Sequence, residues 1–307
     1  FFILQLNDDG VLNIHVSAEH VGASTTDSLT VRLYNHSVVV QRTWRVRVGA
    51  NGTPVLSDRS ISCRGNEQRY FLQFSSDVCG ASYQFSYDVS PPVFTDDQED
   101  NDAWNGVNTD TVAVNAQAEG RLNFNYDDNS DYFILQLNDD GVLNIHMEAE
   151  QVGTSTTDSL TLRLYDVNVV LIRTWRVRVG ANSVPYLSDR SMTCRGNEHR
   201  YFLQVSSDAC GASYRFSYDV NSPSFADDLE PNDAWSQALS LNGLDNAPVP
   251  GRLNFSYDDN GDWYVFTVSV SGAVTFNTRA ENVGAAGTMT INLYNASVVS
   301  IGGGVLP

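Results

Sequence analysis

Apolar and polar residues alternate along most of the chain. In Tyr132-Phe133-Ile134-Leu135-Gln136-Leu137, Leu160-Thr161-Leu162-Arg163-Leu164, Thr174-Trp175-Arg176-Val177-Arg178-Val179, Tyr201-Phe202-Leu203-Gln204-Val205 and Tyr214-Arg215-Phe216-Ser217-Tyr218, apolar groups fall on every second position. Successive side chains of an extended backbone point to opposite faces, so each run presents one apolar face, as a half-buried strand does. Turns rich in Gly, Asn and Asp separate the runs, and Asn138-Asp139-Asp140-Gly141 is a strong hairpin signal. Few stretches keep a helical period; one helical turn is expected after Pro231, within Asn232-Asp233-Ala234-Trp235-Ser236-Gln237-Ala238. Short strands at this density predict an all-β chain of antiparallel β-sandwich units, each with two sheets.

The pattern repeats. Phe2-Ile3-Leu4-Gln5-Leu6-Asn7-Asp8-Asp9-Gly10 returns unchanged from Phe133, a period of 131 residues, and the run Arg42–Asn51 returns from Arg173. A more divergent third copy carries Gly251-Arg252-Leu253 where the second has Gly120-Arg121-Leu122. The expected units are therefore 1–93, which lacks an opening part, 94–224, which is whole, and 225–307, which lacks a closing part. Val89-Ser90-Pro91-Pro92-Val93 and Val220-Asn221-Ser222-Pro223-Ser224 read as short linkers that Pro stiffens. The chain starts at Phe1 and not at Met, which leaves open a removed leader or a segment of something longer.

Charge narrows the function. The chain has 37 acidic and 18 basic residues, for a net of −19, and every basic residue is Arg. Such a surface repels nucleic acid and anionic lipid, and no apolar run is long enough to enter a membrane. Without Lys, no Lys–Asn isopeptide can staple a unit, so any covalent staple is a disulfide. Cys63 and Cys79 stand 16 apart, as do Cys194 and Cys210. That recurrence favours one disulfide per unit in an oxidising, extracellular or cell-surface setting; two buried thiols per unit is the alternative.

Several motifs together resemble the bacterial pre-peptidase C-terminal domain family. They are Glu230-Pro231-Asn232-Asp233 with Ala234-Trp235, Pro250-Gly251-Arg252-Leu253, Asp258–Phe266, Ile291-Asn292-Leu293-Tyr294-Asn295, and Gly211-Ala212-Ser213-Tyr214. The resemblance implies a jelly-roll-like sandwich, secretion, and calcium near the acidic segment. The middle copy departs from it, with Glu99-Asp100-Asn101-Asp102 in place of Glu-Pro-Asn-Asp and Tyr132 in place of Trp263. The Cys pairs and the Arg-rich strand also lie outside the family pattern.

Two acidic loops per unit are candidate Ca2+ ligands: Asp97, Glu99, Asn101, Asp102, Asp128 and Asp131 in the middle unit, and Asp228, Glu230, Asn232, Asp233, Asp259 and Asp262 in the third. Calcium takes six to eight oxygen ligands from flexible loops, which such loops can supply; solvated acidic turns are the alternative. Arg45, Arg47, Arg176 and Arg178 share one strand face and are candidate interface residues toward carboxylates of a neighbouring unit or subunit, against a merely solvated face. The five His show no metal spacing and read as packing residues. No catalytic constellation recurs with motif context, so no enzyme activity is expected. The reading is a structural repeat segment of an extracellular filament, stalk or adhesin, assembling head to tail with copies of itself. The alternative is a tandem module that targets a secreted hydrolase to matrix or polysaccharide.

Overall fold

The computed structural model describes residues 1–20, 28–50, 52–64, 69–76, 80–96, 101–103, 110–124, 129–151, 159–181, 184–196, 200–207, 211–228, 231–244, 247–253, 255, 260–281 and 288–306. In the first unit the strands are β1 (Phe2–Gln5), β2 (Gly10–His20), β3 (Ser28–Tyr34), β4 (Val40–Arg47), β5 (Gly49–Ala50), β6 (Val55–Arg64), β7 (Arg69–Ser75) and β8 (Ala81–Ser90). They form one sheet in the order β1-β7-β3-β4 and another in which β2 pairs with β5, β6 and β8. The middle unit follows with β9 (Asp110–Val112), β10 (Gln117–Leu122), β11 (Ser130–Gln136), β12 (Gly141–Gln151), β13 (Ser159–Tyr165), β14 (Leu171–Arg178), β15 (Gly180–Ala181), β16 (Tyr186–Arg195), β17 (Arg200–Ser206) and β18 (Ala212–Asn221). Its sheets run β14-β13-β17-β11-β9 and β10-β18-β12-β15, with β16 also on β12. The predicted all-β sandwich is thus what the chain forms. Among the described residues pairing is antiparallel except at β9 with β11, β5 with β2, β15 with β12, and in a short third-unit pair.

The register recurs with the sequence. Ile14 faces Tyr87 and Arg59 across β2, and Ile145 faces Tyr218 and Arg190 across β12. Alternation does what the pattern requires: along β12 every second residue from Leu143 to Ala149 is fully buried. Between the sheets of the middle unit lies a core that includes Phe133, Leu135, Ile145, Met147, Leu162, Leu203, Phe216 and Tyr218. The core of the first unit uses Leu4, Leu12, Ile14, Val16, Val31, Leu33 and Leu72. The Tyr218 hydroxyl is a polar bolt through the middle unit. Its one proton faces the Val112 and Gln136 carbonyls, each 2.8 Å from the oxygen, and it accepts from the Gln136 amide at 3.0 Å, which satisfies the one polar atom on a buried ring.

The described residues of the first unit start at the position of Tyr132, after those of β9 and β10. Phe2, Tyr83 and Tyr87 are 41%, 41% and 38% exposed, where Phe133, Tyr214 and Tyr218 are at 0%. Phe2, Phe74, Tyr83 and Phe85 instead pack on one another as an aromatic cluster.

In the third unit the described strands are β19 (Leu239–Ser240), parallel to β20 (Tyr264–Val265), and the hairpin of β21 (Met289–Tyr294) with β22 (Ser300–Leu306). The expected helical turn is a single 3-10 turn, Trp235–Gln237. The hairpin turns after β3, β13 and β21 each place a valine, Val38, Val169 and Val298, at positive φ of 57–61°. A β-branched residue is strained there, by about 1–2 kcal/mol.

Candidate functional site

In each of the last two units the acidic segment is pinned to the first long strand by its buried Asn. The Tyr132 amide donates to the Asn101 carbonyl at 3.0 Å, and the Trp263 amide donates to the Asn232 carbonyl at 2.9 Å. Asn101, Asn232 and Asp131 are fully buried. Asp131 accepts a short hydrogen bond from the Tyr214 hydroxyl. In the third unit the hydroxyl comes from a different strand. Tyr264, at the position of Phe133, donates to Asp228 at 2.5 Å and lies 3.4 Å from Asp262. Burial, with these carboxylates next in importance, pushes the Tyr264 pKa far up, so it stays a donor.

Glycine makes room for this cluster. A Cβ on Gly251 would lie 2.8 Å from both Asp262 Oδ2 and the Tyr264 hydroxyl and 3.5 Å from Asp228 Oδ2. The Asn232 amide donates to Asp228 Oδ2, while Asp228 Oδ1 is buried without a hydrogen bond among the described residues. Asp228 and Asp262 thus meet at the Tyr264 hydroxyl, with Asn232 bound to Asp228 through its amide nitrogen; their oxygens are of the hard kind that calcium takes and a soft metal does not. Asp102 and Asp233 are exposed. Asp97, Glu99, Asp128, Glu230 and Asp259 lie outside the described residues, as do Cys79, Cys210 and the side chains of Cys63 and Cys194. Among the described residues no group of three or more His, Cys, Asp or Glu is placed to hold a metal ion.

The histidines do more than pack. His15 Nδ1 is 2.8 Å from Asp58 and Nε2 is 2.8 Å from Asp88; His146 bridges Asp189 at 2.8 Å and Asp219 at 2.9 Å. Asn13 and Asn144 add bonds to Asp88 and Asp219. Each imidazole lies across three neighbouring strands of one sheet. The pKa of His15 is raised by its bonds to Asp58 and then Asp88, and that of His146 by Asp189 and then Asp219. With both ring nitrogens turned to carboxylates, each imidazole is a cross-strand tie whose partners favour its protonated form. The spacing of His, Asp and Asp was in the repeat itself: Asp58 and Asp88 recur with His15 at the common period.

Arg45, Arg47, Arg176 and Arg178 are exposed on β4 and β14. Arg178 sits over the Tyr186 ring, 5.3 Å from its centre. The Arg45 and Arg176 carbonyls accept bonds from Arg59 and Arg190. Contacts between consecutive units are made by other arginines. Two hollows border the middle unit. One of 190 Å³ is lined by polar residues such as Asn129, Arg163 and Gln204, and one of 540 Å³ lies beside Thr95, Glu119 and Phe133. Neither is lined by a His or Cys.

Neither the models of known protein families nor curated proteins match this chain. Among solved structures it is similar to the pre-peptidase C-terminal domain of a collagenase from Bacillus anthracis, at 14% identity over 36% of this chain and 95% of that one, with a TM-score of 0.25. It is also similar to the tandem CBM22-1-CBM22-2 domain of Xyn10C from Paenibacillus barcinonensis, at 11% identity over 70% and 80% of the two chains, TM-score 0.26. A third is CUB1-EGF-CUB2 of rat MASP-1, at 10% identity over 71% and 97%, TM-score 0.22. At these values the likenesses add nothing to the strand architecture already described. No helix among the described residues is long and apolar enough to cross a membrane.

Proposed function

We propose that this chain is a non-catalytic structural segment of an extracellular filament, stalk or adhesin, built from jelly-roll-like units of the pre-peptidase C-terminal type. The observation that supports it is the return of one sandwich, with one register, at a fixed offset: β2 pairs with β6 and β8 residue for residue as β12 pairs with β16 and β18. Units that share one register repeat one shape, which suits a spacer or polymer better than a set of distinct sites. His15 and His146 are held between carboxylates in both units. In this reading copies of the chain join head to tail, and Asp228, Asn232 and Asp262, with Asn101 and Asp131 in the middle unit, hold calcium that braces the acidic segment against the first strand. The exposed arginine faces of β4 and β14 are available for lateral contact with carboxylates of a neighbour.

Negative-stain microscopy of purified native material tests the reading. Regular fibres or stalks with an axial repeat of one unit are expected. Discrete particles that bind matrix or polysaccharide would replace it with the targeting-module alternative.

A further inference from the structure

Asp8 and Asp9 lie in the turn between β1 and β2, and Asp139 and Asp140 in the turn between β11 and β12. Each turn meets an arginine of the unit that follows. Arg121 Nη1 is 2.9 Å from Asp8 and 3.4 Å from Asp9; Arg252 Nη1 is 2.7 Å from Asp139 and 3.0 Å from Asp140. The Nε of each arginine donates at 2.8 Å to a backbone carbonyl at the start of its own unit, Phe94 or Phe225. All four members recur at the common offset: 8 and 139, 9 and 140, 94 and 225, 121 and 252.

We propose that the Asn-Asp-Asp-Gly turn is the docking site for the next unit of the same kind, and that a single arginine on that unit fixes how consecutive units stack. Three features converge on the turn. The arginine side chains are only 11% and 12% exposed, and Asp9 and Asp140 only 8% and 10%, so solvent and salt screen the contact little. The linker is tied down beside it, since the Val93 amide donates to Glu150 at 2.6 Å and the Thr95 amide to Glu119 at 3.0 Å. The turn also packs on the linker's first residues. Gly10 and Gly141 have φ of 144° and 150°, and a Cβ at either would fall 2.1 Å from the carbonyl oxygen of Ser90 or Asn221. Burial alone would raise the pKa of Asp139, yet the bonds from Arg252 and Ser222 hold it below the usual range, so the acceptor is charged.

The third unit reads Ser269-Val270-Ser271-Gly272 at the position of this turn, and Val270 is 75% exposed. It offers no carboxylate, so a unit placed after it is not held in this way. The turn thus works as a pairing code: a unit with Asp-Asp accepts a unit with Gly-Arg-Leu.

The proposal rests on the structural reading only for its consequence, a stiff array. Its test uses the full chain with Arg121→Gln and Arg252→Gln together. Far-UV circular dichroism should be unchanged. Small-angle scattering should show a broader distribution of dimensions, and protease cleavage in the two linkers should rise roughly tenfold or more, because losing the partner of a desolvated charge favours opening. Arg→Lys at both sites should fall between, since an ammonium cannot reach the carbonyl and both carboxylates at once. Arg252→Glu should free the second linker, and adding Asp139→Arg should restore part of its protection. Scattering and cleavage unchanged in the double Gln variant would overturn the proposal while leaving the filament reading intact. Freed linkers in a protein that forms no fibres would uphold the clamp and remove the filament.

Discussion

His15 and His146 each stand between two aspartates on the outer face of a sheet, and their pKa directions define a stability window. A histidine whose folded pKa lies above about 6.5 contributes fully below that value and loses its contribution as pH rises through the folded pKa. Asp88 is held low by Asn13 and then His15; Asp219 is held low by Asn144 and His146 against the opposing effect of burial. Their contribution is present above about 3.8 and disappears as pH falls through the depressed values. The tie is therefore strongest between roughly pH 4 and 6.5. Thermal unfolding of the native chain should show a higher midpoint near pH 5.5 than near pH 9, and His15→Gln with His146→Gln should flatten that difference. An equal slope in both proteins would mean that the imidazoles contribute nothing. The ties are half exposed, so their effect is modest beside the buried cores.

Strands β9 and β10 show what one element adds. They pair beside β11 and β18, the strands that carry the buried rings of Phe133, Tyr214, Phe216 and Tyr218. Gly120 on β10 admits the Tyr214 hydroxyl; a Cβ there would lie 2.4 Å from it. Gly120→Val should lift β10 from β18 and destabilise the middle unit by about 2–4 kcal/mol, through overpacking and a stranded Tyr214–Asp131 bond. Denaturant unfolding with near-UV circular dichroism reads this directly; a loss below about 1 kcal/mol would show that β10 can slide without harm. Elements of this kind were legible in the sequence where period two decides them. Leu160–Leu164 lies in β13 and Tyr214–Tyr218 in β18, with the apolar sides inward as alternation requires. The parallel pairings of β5 and β9 were not legible, because two- and three-residue strands carry no period. The polar ties escaped for another reason. His15, Asp58 and Asp88 lie on three strands, and Arg121 sits 113 positions from Asp8. Each looks like an ordinary surface residue until the sheets close. The usable signal was joint recurrence: the Asp-Asp pair of each of the first two units is followed 113 positions later by an Arg of the next unit, and the third unit lacks the Asp pair.

Across the whole molecule the dominant quantity is the net charge of −19, carried by acidic loops that in two units lead into buried Asn and Asp side chains. Any cation relieves the mutual repulsion of such a chain by screening, with a reach of about 10 Å at 0.1 M salt and 3 Å at 1 M. Calcium held by Asn101 and Asp131, or by Asp228, Asn232 and Asp262, would act differently. Binding only to the folded state, it adds about 2.7 kcal/mol at a hundredfold excess over its dissociation constant, at millimolar concentrations where screening hardly changes. The two effects separate at fixed ionic strength. Replacing millimolar CaCl2 with EGTA, with NaCl adjusted to match, should lower the melting midpoint by several degrees, as an effect of that size does in domains of this length. Asp131→Asn keeps the shape and the acceptor for Tyr214 while removing one negative charge, so it should shrink the calcium-dependent part of the shift and spare the response to NaCl. A midpoint indifferent to EGTA at matched ionic strength would leave the acidic loops as solvated turns, and the brace between acidic segment and first strand would then rest on the Asn101 and Asn232 carbonyl bonds alone.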